Sequence, residues 1–331
     1  MHPRTPGSSE PLPDVSYLER ALELAERGRG ATAPNPIVGA VVVAGGEVVG
    51  EGWHERAGGP HAEAVALEQA GERARGATLC VTLEPCAHHG RTPPCADAVV
   101  AAGIARVVVA VGDPNPRTNG KGFARLRAAG IDVELAGGEL EWRARVQNEA
   151  YRVWVARSRP FVTYKAAVTL DGRMAVPDAR WVSGEQSRRL VHELRAASDA
   201  VAVGMGTVRA DDPKLTAREV GATRQPRRLA FGRGPLPHGS ELELRSGQLE
   251  EELSVLAEEG VQSLLLEGGA TLAAAFLRAD LIDKLLVFVA PVLSGEGPLL
   301  FGDGSVPAAL HHLTAQAVGE DVLLTAYVHE P

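Results

Sequence analysis

Aromatic side chains make up only 4% of this 331-residue chain, and cysteine occurs three times. The scarcity of aromatics is not a sign of disorder, because 45% of the residues are apolar and 23% charged, the composition of an ordinary globular protein. The length is about twice that of a domain of about 100–150 residues, so two domains are expected. Positive charge is also short: 34 Lys and Arg stand against 42 Asp and Glu, for a net charge of −8, with no run of five or six like charges. That balance disfavours a nucleic-acid partner or a membrane surface. No apolar run approaches the roughly 18 residues of a membrane span, and the longest candidate, 99–111, is broken by Arg106. The start, MHPRTPGSSEPLP, has no apolar stretch of the secretory type, so residues 1–12 read as a flexible polar tail and a cytoplasmic location is expected. Cys80, Cys86 and Cys95 fall within sixteen residues of one another. An odd, clustered set in a chain long enough to build its own core favours metal binding over a disulfide framework.

Helical and extended patterns alternate along the chain. A helix capped by Asp14 or Ser16 carries Leu18, Leu22 and Ala25 on one face, and Gly28 or Gly30 stops it. The β-branched run 37–43, the turn Ala44-Gly45-Gly46 and a short strand at 48–49 read as a hairpin. A helix over 61–70, strands at 78–83, 107–111 and 131–135, and helices at 95–102 and 123–129 complete a layered α/β unit with a largely parallel sheet, assigned to 13–156. The charged helical stretch 138–159 leads into a fresh strand at 161–168, and the alternation then repeats from 157 to 331 without shared motifs. Two different α/β domains are fused.

The sharpest chemistry lies in His61-Ala62-Glu63, Pro85-Cys86 and Cys95. A catalytic zinc wants three N or S ligands and one open position, which His61, Cys86 and Cys95 supply, one ion per chain. His61 and Glu63 are two apart at a helix start, so they project to different sides and take different jobs. Glu63 can reach the water on the metal, take its proton and return protons to a leaving amine. A fourth ligand from His88 or His89 would instead close the site as a structural one, but such a site has no use for Glu63. Cys80 lies inside a strand and reads as a packed small residue.

The zinc-deaminase signature is H-x-E with P-C-x-x-C, whereas eight residues separate the cysteines here. The stretch from Thr82 to Cys95, TLEPCAHHGRTPPC, resembles the deaminase half of the bifunctional riboflavin-biosynthesis deaminase/reductase family. Asn35-Pro36 with Val38-Gly39, Gly52-Trp53-His54, and Gly112-Asp113-Pro114-Asn115-Pro116 support the resemblance, which covers nearly the whole chain. It implies a cytidine-deaminase-like three-layer domain followed by a dihydrofolate-reductase-like α/β domain that uses NADPH. It also implies a phosphoribosylated pyrimidine as substrate, met by Asn35 and His54, and a homo-oligomer, dimer or tetramer.

In the second half, Lys165 to Gly172 runs off a strand into a turn, and Gly268-Gly269 lies between a strand and a helix. Backbone N–H groups at such a helix start can meet phosphate oxygens, although a bare Gly-Gly serves any tight turn. With Trp181, Thr207-Val208, Asp211-Asp212-Pro213 and Leu215-Thr216, these segments resemble the reductase half of the same family. By that resemblance Ala167, Trp181, Thr207, Asp211, Gly269, Ala270 and Thr271 contact the cofactor, and Lys165, Arg195, Leu215, Arg218 and Glu267 hold substrate. Arg195 and Arg218 suit a phosphate, and Lys165 or Asp211 can polarise the sugar or protonate its nitrogen. Two departures stand out. Ala179 occupies a position where the family usually has serine, and the segment 232–248 is short where another strand and loop of the cofactor region are expected. The alternative is therefore a deaminase carrying an impaired reductase-like domain.

Overall fold

The computed structural model describes residues 13–88, 93–222, 224–302 and 308–331. The expected tail, 1–12, and His89 lie outside them. The chain divides into Met1–Ala156 and Arg157–Pro331.

Among the described residues the first unit is a five-stranded sheet in the order β2-β1-β3-β4-β5, formed by β1 (Gly39–Ala44), β2 (Glu47–Trp53), β3 (Thr78–Leu83), β4 (Arg106–Val111) and β5 (Asp132–Leu135). The pairs β1/β2 and β1/β3 are antiparallel and β3/β4 and β4/β5 parallel. The sheet is thus mixed, not largely parallel, because the hairpin brings β1 back against β3. Alternation along the strands sorts the core to two faces. Val41, Val43, Cys80, Val108 and Ala110 pack with Leu18, Ala21 and Leu22 of α1 (Pro13–Glu26) and with Leu140 and Ala144 of α5 (Gly138–Gln147). Ala40, Val42, Leu79, Val81, Val107 and Val109 face α2 (Ala62–Ala70), α3 (Cys95–Ala101) and α4 (Lys121–Ala128). Cys80 is accordingly a core residue. Glycines set how closely α2 rides on the sheet: a Cβ at Gly50 or Gly52 would collide with the backbone oxygens of Ala66 or Ala62. That close seat fixes the start of α2, where His61 and Glu63 lie.

The expected strand at 37–43 begins at Gly39 instead. Ile37 is kept out of the sheet because the Asn148 side-chain amide takes both its backbone groups, at 2.9 Å each. Asn148 sits between α5 and α6 (Glu149–Arg157).

The second unit holds an eight-stranded sheet among the described residues, ordered β12-β13-β11-β6-β10-β7-β8-β9. Its strands are β6 (Phe161–Thr169), β7 (Ala200–Gly204), β8 (Arg227–Phe231), β9 (Glu243–Arg245), β10 (Ser263–Leu266), β11 (Lys284–Ala290), β12 (His311–Val318) and β13 (Asp321–Tyr327). From β11 to β9 the neighbours run parallel, while β13 and β12 add antiparallel strands at one edge. Helices α9 (Leu249–Glu258) and α10 (Ala270–Arg278) pack on one face through Leu253, Leu256, Ala273 and Phe276. On the other, α7 (Glu185–Ala197) contributes Val191 and α8 (Met205–Asp211) contributes Met205 and Val208. The strand expected after Phe231 is present: β9, three residues long, pairs in parallel with β8, so the sheet does extend past β8. None of the described helices is long and apolar enough to cross a membrane.

Candidate active sites

In the first unit His61 is the N-cap of α2, Cys86 follows β3 in a loop, and Cys95 opens α3. Their ligand atoms lie within 4.8 Å of one another. His61 Nδ1 is 3.1 Å from Cys95 Sγ and 3.7 Å from Cys86 Sγ, and the Cys95 N–H donates to Cys86 Sγ at 3.3 Å. Zinc bonds of about 2.0–2.3 Å in tetrahedral geometry require donor separations of about 3.5–3.8 Å; the 3.7 Å pair meets this and the 3.1 Å pair opens by a few tenths of an ångström, so an imidazole and two thiols here fit one zinc ion. Hydrogen bonds from the Cys95 side chain and from His61 hold the Cys86 thiol well below its ordinary value, which favours the thiolate a metal needs.

Glu63 is 3% exposed, and its burial pushes the carboxyl up to about 7, with the neighbouring Cys86 adding to the effect. It lines a cavity of about 240 Å³ together with Asn35, His54, His61, Cys86 and His88. His54 Nδ1 lies 2.9 Å from the Pro60 carbonyl and its Nε2 3.2 Å from Asn35 Nδ2. Those partners assign the neutral tautomer with hydrogen on Nδ1, accepting from Asn35. Burial agrees by holding His54 below its usual value. The structure therefore brings Asn35, His54, His61, Glu63, Cys86 and Cys95 to one place. Among the described residues no fourth His, Cys, Asp or Glu joins the three ligands.

The far wall holds residues that the sequence reading did not assign to the site: Asp113, Asn115, Thr118, Tyr151 and Trp154. The Asp113 carboxylate accepts the Asn115 N–H at 2.9 Å and the Tyr151 hydroxyl at 3.2 Å. Glu84, next to the Pro-Cys pair, is structural. Its carboxylate accepts N–H bonds from Asp113, Gly120, Gly122 and Phe123, tying the 112–120 loop to the start of α4.

In the second unit Lys165 on β6, Arg195 on α7 and Glu267 after β10 converge. The Arg195 fork bonds both Glu267 oxygens at 2.6 and 2.9 Å, and Lys165 Nζ lies 3.9 Å from Glu267. Burial alone would raise Glu267, but the Arg195 hydrogen bonds and the Lys165 charge reverse this and hold it low. Burial lowers Lys165, with Glu267 opposing. Arg195 also donates to the Thr216 carbonyl at 3.2 Å. Its fork is thus bonded to Glu267 and the Thr216 carbonyl, in the cluster that also holds Lys165. Leu215, at φ 51°, buries its side chain with Val201, Val203 and Leu265.

Gly269 is the N-cap of α10, and no side chain caps that first turn. A Cβ placed on Gly269 would lie 3.9 Å from Thr207 Oγ1, which sets Thr207 beside the start of α10. An uncapped helix start at the carboxyl ends of parallel strands suits the phosphates of a dinucleotide, so Gly269, Ala270, Thr271 and Thr207 fit one. Asp211 is exposed at the end of α8. Ala167 packs beside Val191 and Phe288. Trp181 and Arg218 line a separate cavity of about 810 Å³ with Arg188, Arg189 and His192. The indole, 57% exposed, lies between the Arg180 and Arg188 guanidinium groups at 5.0 and 5.6 Å.

The family described as the cytidine and deoxycytidylate deaminase zinc-binding region matches residues 13–111, and the RibD C-terminal domain matches 160–324. A RibD riboflavin biosynthesis protein of Aquifex aeolicus is 40% identical over 349 residues, covering 94% of this chain and 97% of that protein. One from Mycobacterium tuberculosis is 42% identical over 328 residues, covering 92% and 94%. Among solved structures, Acinetobacter baumannii RibD matches with TM-score 0.84 at 37% identity, covering 95% of this chain and 98% of that one. A Thermotoga maritima protein matches at 0.81 and 35%, with the same coverage. A metal-binding deaminase unit joined to a reductase unit makes the chain a two-domain deaminase–reductase. It belongs to the RibD family of riboflavin biosynthesis proteins.

Proposed function

We propose that the chain hydrolytically deaminates a diaminopyrimidinone bearing a phosphoribosylamino group and then reduces the ribosyl chain of the product to ribityl. The observation that carries this reading is the His61, Cys86, Cys95 donor set with the buried Glu63 beside it. The solved Thermotoga maritima relative is named a diaminohydroxyphosphoribosylaminopyrimidine deaminase and 5-amino-6-(5-phosphoribosylamino)uracil reductase, which supports the substrate.

A zinc ion held by the three ligands would supply Lewis acidity and a water of lowered pKa. Glu63 takes the proton as the water oxygen bonds to the ring carbon, then passes protons to the departing amine, so that the C–N bond breaks and ammonia leaves. Asn35 and His54 hold the ring. In the second unit bound NADPH would supply a hydride to the sugar C1. Gly269, Ala270, Thr271 and Thr207 hold its phosphates, and the family resemblance assigns Ala167, Trp181 and Asp211 to it. The sugar ring opens beforehand, its C1–O bond breaking as the amine N–H proton passes to the ring oxygen and a C1=N bond forms; Lys165, its proton affinity reduced by burial, then delivers a proton to that nitrogen as C1 takes the hydride, and Glu267 with Arg195 keeps the lysine in place. Arg218 receives the substrate phosphate.

The chain is also read as a homo-oligomer, a dimer or tetramer. The edge strand β12 supports this, since it lies open along its length with Leu313 65% exposed. Action in the cytoplasm belongs to the same reading: Cys86 and Cys95 must stay reduced to hold a metal, as thiols do there. A two-step assay on the purified chain tests the reading by following ammonia release and NADPH oxidation separately. Both are expected. Ammonia release with no NADPH oxidation on the deaminated product would overturn the second activity.

A further inference from the structure

Asn148 lies in neither of the two matched family regions, which cover 13–111 and 160–324. Yet its side chain reaches 111 residues back along the chain, accepting the Ile37 N–H on Oδ1 and donating from Nδ2 to the Ile37 carbonyl, each at 2.9 Å. Both partners are buried, Ile37 6% and Asn148 7% exposed, so water does not substitute. The segment it grips carries one wall of the deaminase cavity. Asn35 is braced on its N-terminal side by Thr32, whose carbonyl accepts the Asn35 N–H at 2.9 Å and whose hydroxyl donates to the Asn35 carbonyl at 3.1 Å. On the C-terminal side the next residue to make a hydrogen bond is Ile37, and both of its backbone groups end on Asn148. Beyond it, the Val38 carbonyl accepts the His54 N–H at 3.0 Å, and the Asn35 amide donates to the His54 ring at 3.2 Å. One buried amide therefore fixes the backbone on which the Asn35 and His54 pair depends.

We propose that Asn148 is a positioning residue for the deaminase: its two-point clamp on Ile37 sets the wall that receives the pyrimidine ring, and so governs substrate affinity, not the proton chemistry of Glu63. The proposal rests on the deaminase reading above. It places the effect in binding, because His61, Glu63, Cys86 and Cys95 are carried by α2, α3 and the loop after β3, whereas the hydrogen bonds of Asn148 run to Ile37, Arg145 and Arg152.

The test uses the full purified chain with Asn148→Ala and the near-isosteric Asn148→Asp, which keeps the acceptor for the Ile37 N–H and loses the amide donor. For Asn148→Ala, KM for ammonia release is expected to rise at least tenfold with kcat within threefold, and zinc per chain and NADPH oxidation on the deaminated product are expected unchanged. Asn148→Asp is expected to show a smaller rise in KM. Calorimetry in a Glu63→Gln background, which binds without turning over, should show the same loss of substrate affinity for Asn148→Ala. KM and affinity within twofold of the parent in both variants would overturn the clamp, as would a fall in kcat at constant KM. If Asn148→Ala fails to fold, judged by lost zinc, Asn148→Asp decides by the same criteria. A parent chain that holds zinc and binds the pyrimidine but releases no ammonia would overturn the deaminase reading instead, and the binding measurements would still decide the clamp.

Discussion

In the first unit the metal donors come from two short stretches, His61 at the start of one helix and Cys86 in the loop that leads to Cys95 at the first position of α3, and Glu63 is on the same turn as its histidine. In the second, Lys165, Arg195 and Glu267 come from a strand, a helix and a strand end, joined by an ion network instead of a contiguous motif. The contrast follows from what each site has to hold. A metal ion needs three donors within a few ångströms, which one strand-to-helix loop and one helix start can deliver. A dinucleotide needs contacts spread along the carboxyl edge of a sheet, and these come from the ends of several strands.

Removing the metal should separate the two sites most widely. Dialysis against a chelator is expected to take ammonia release to background while NADPH oxidation on the deaminated product persists; loss of both on dialysis would mean that the units are not separate in function. Glu267→Gln should do the reverse. Lys165 and Arg195 lose their shared carboxylate, and NADPH oxidation is expected to fall about 10²-fold with ammonia release intact. Steady-state rates of both reactions on one preparation check this.

The ion pairs of the two units differ in the same spirit. Asp283 is fully buried, bonded to Arg159 at 2.6 and 2.7 Å and to the Val162 N–H at 2.8 Å. Burial alone would raise its carboxyl, but bonds from Arg159 and His329 overcome that and hold it below the usual value. Its contribution is therefore complete above the ordinary Asp range and is lost as pH falls through the lowered native value. Asp283→Asn is expected to cost the second unit about 3 kcal/mol and to blunt that acid sensitivity, read by urea unfolding at neutral and acid pH. In the first unit Arg106 bridges Asp14 and Glu134 near the surface. There Glu134→Gln is expected to cost no more than about 1 kcal/mol, and less in high salt, by the same measurement.

How much of this was legible in the sequence follows from distance along the chain. The zinc donors and Glu63 were readable because their spacing is local. The wall with Asp113 and Tyr151 and the Asn148 clamp on Ile37 were not, because these pairs lie 38 and 111 residues apart and leave no periodicity. The same clamp displaced the start of β1. Strand β9 escaped notice at three residues, and β12 because nearly all its side chains are exposed, so no apolar alternation marks it. The helical run 205–211 was read only as a set of contact residues, being too short to show a face. The Glu267 partner of Arg195 lies 72 residues away and is not readable from the sequence, since a guanidinium fork fits a carboxylate as well as a phosphate.

The most direct test of the account is Glu63→Gln, assayed for zinc per chain, ammonia release and NADPH oxidation on the deaminated product. The account predicts one zinc per chain, ammonia release reduced about 10²- to 10⁴-fold, and unchanged NADPH oxidation. Ammonia release at the parent rate with zinc in place would contradict it.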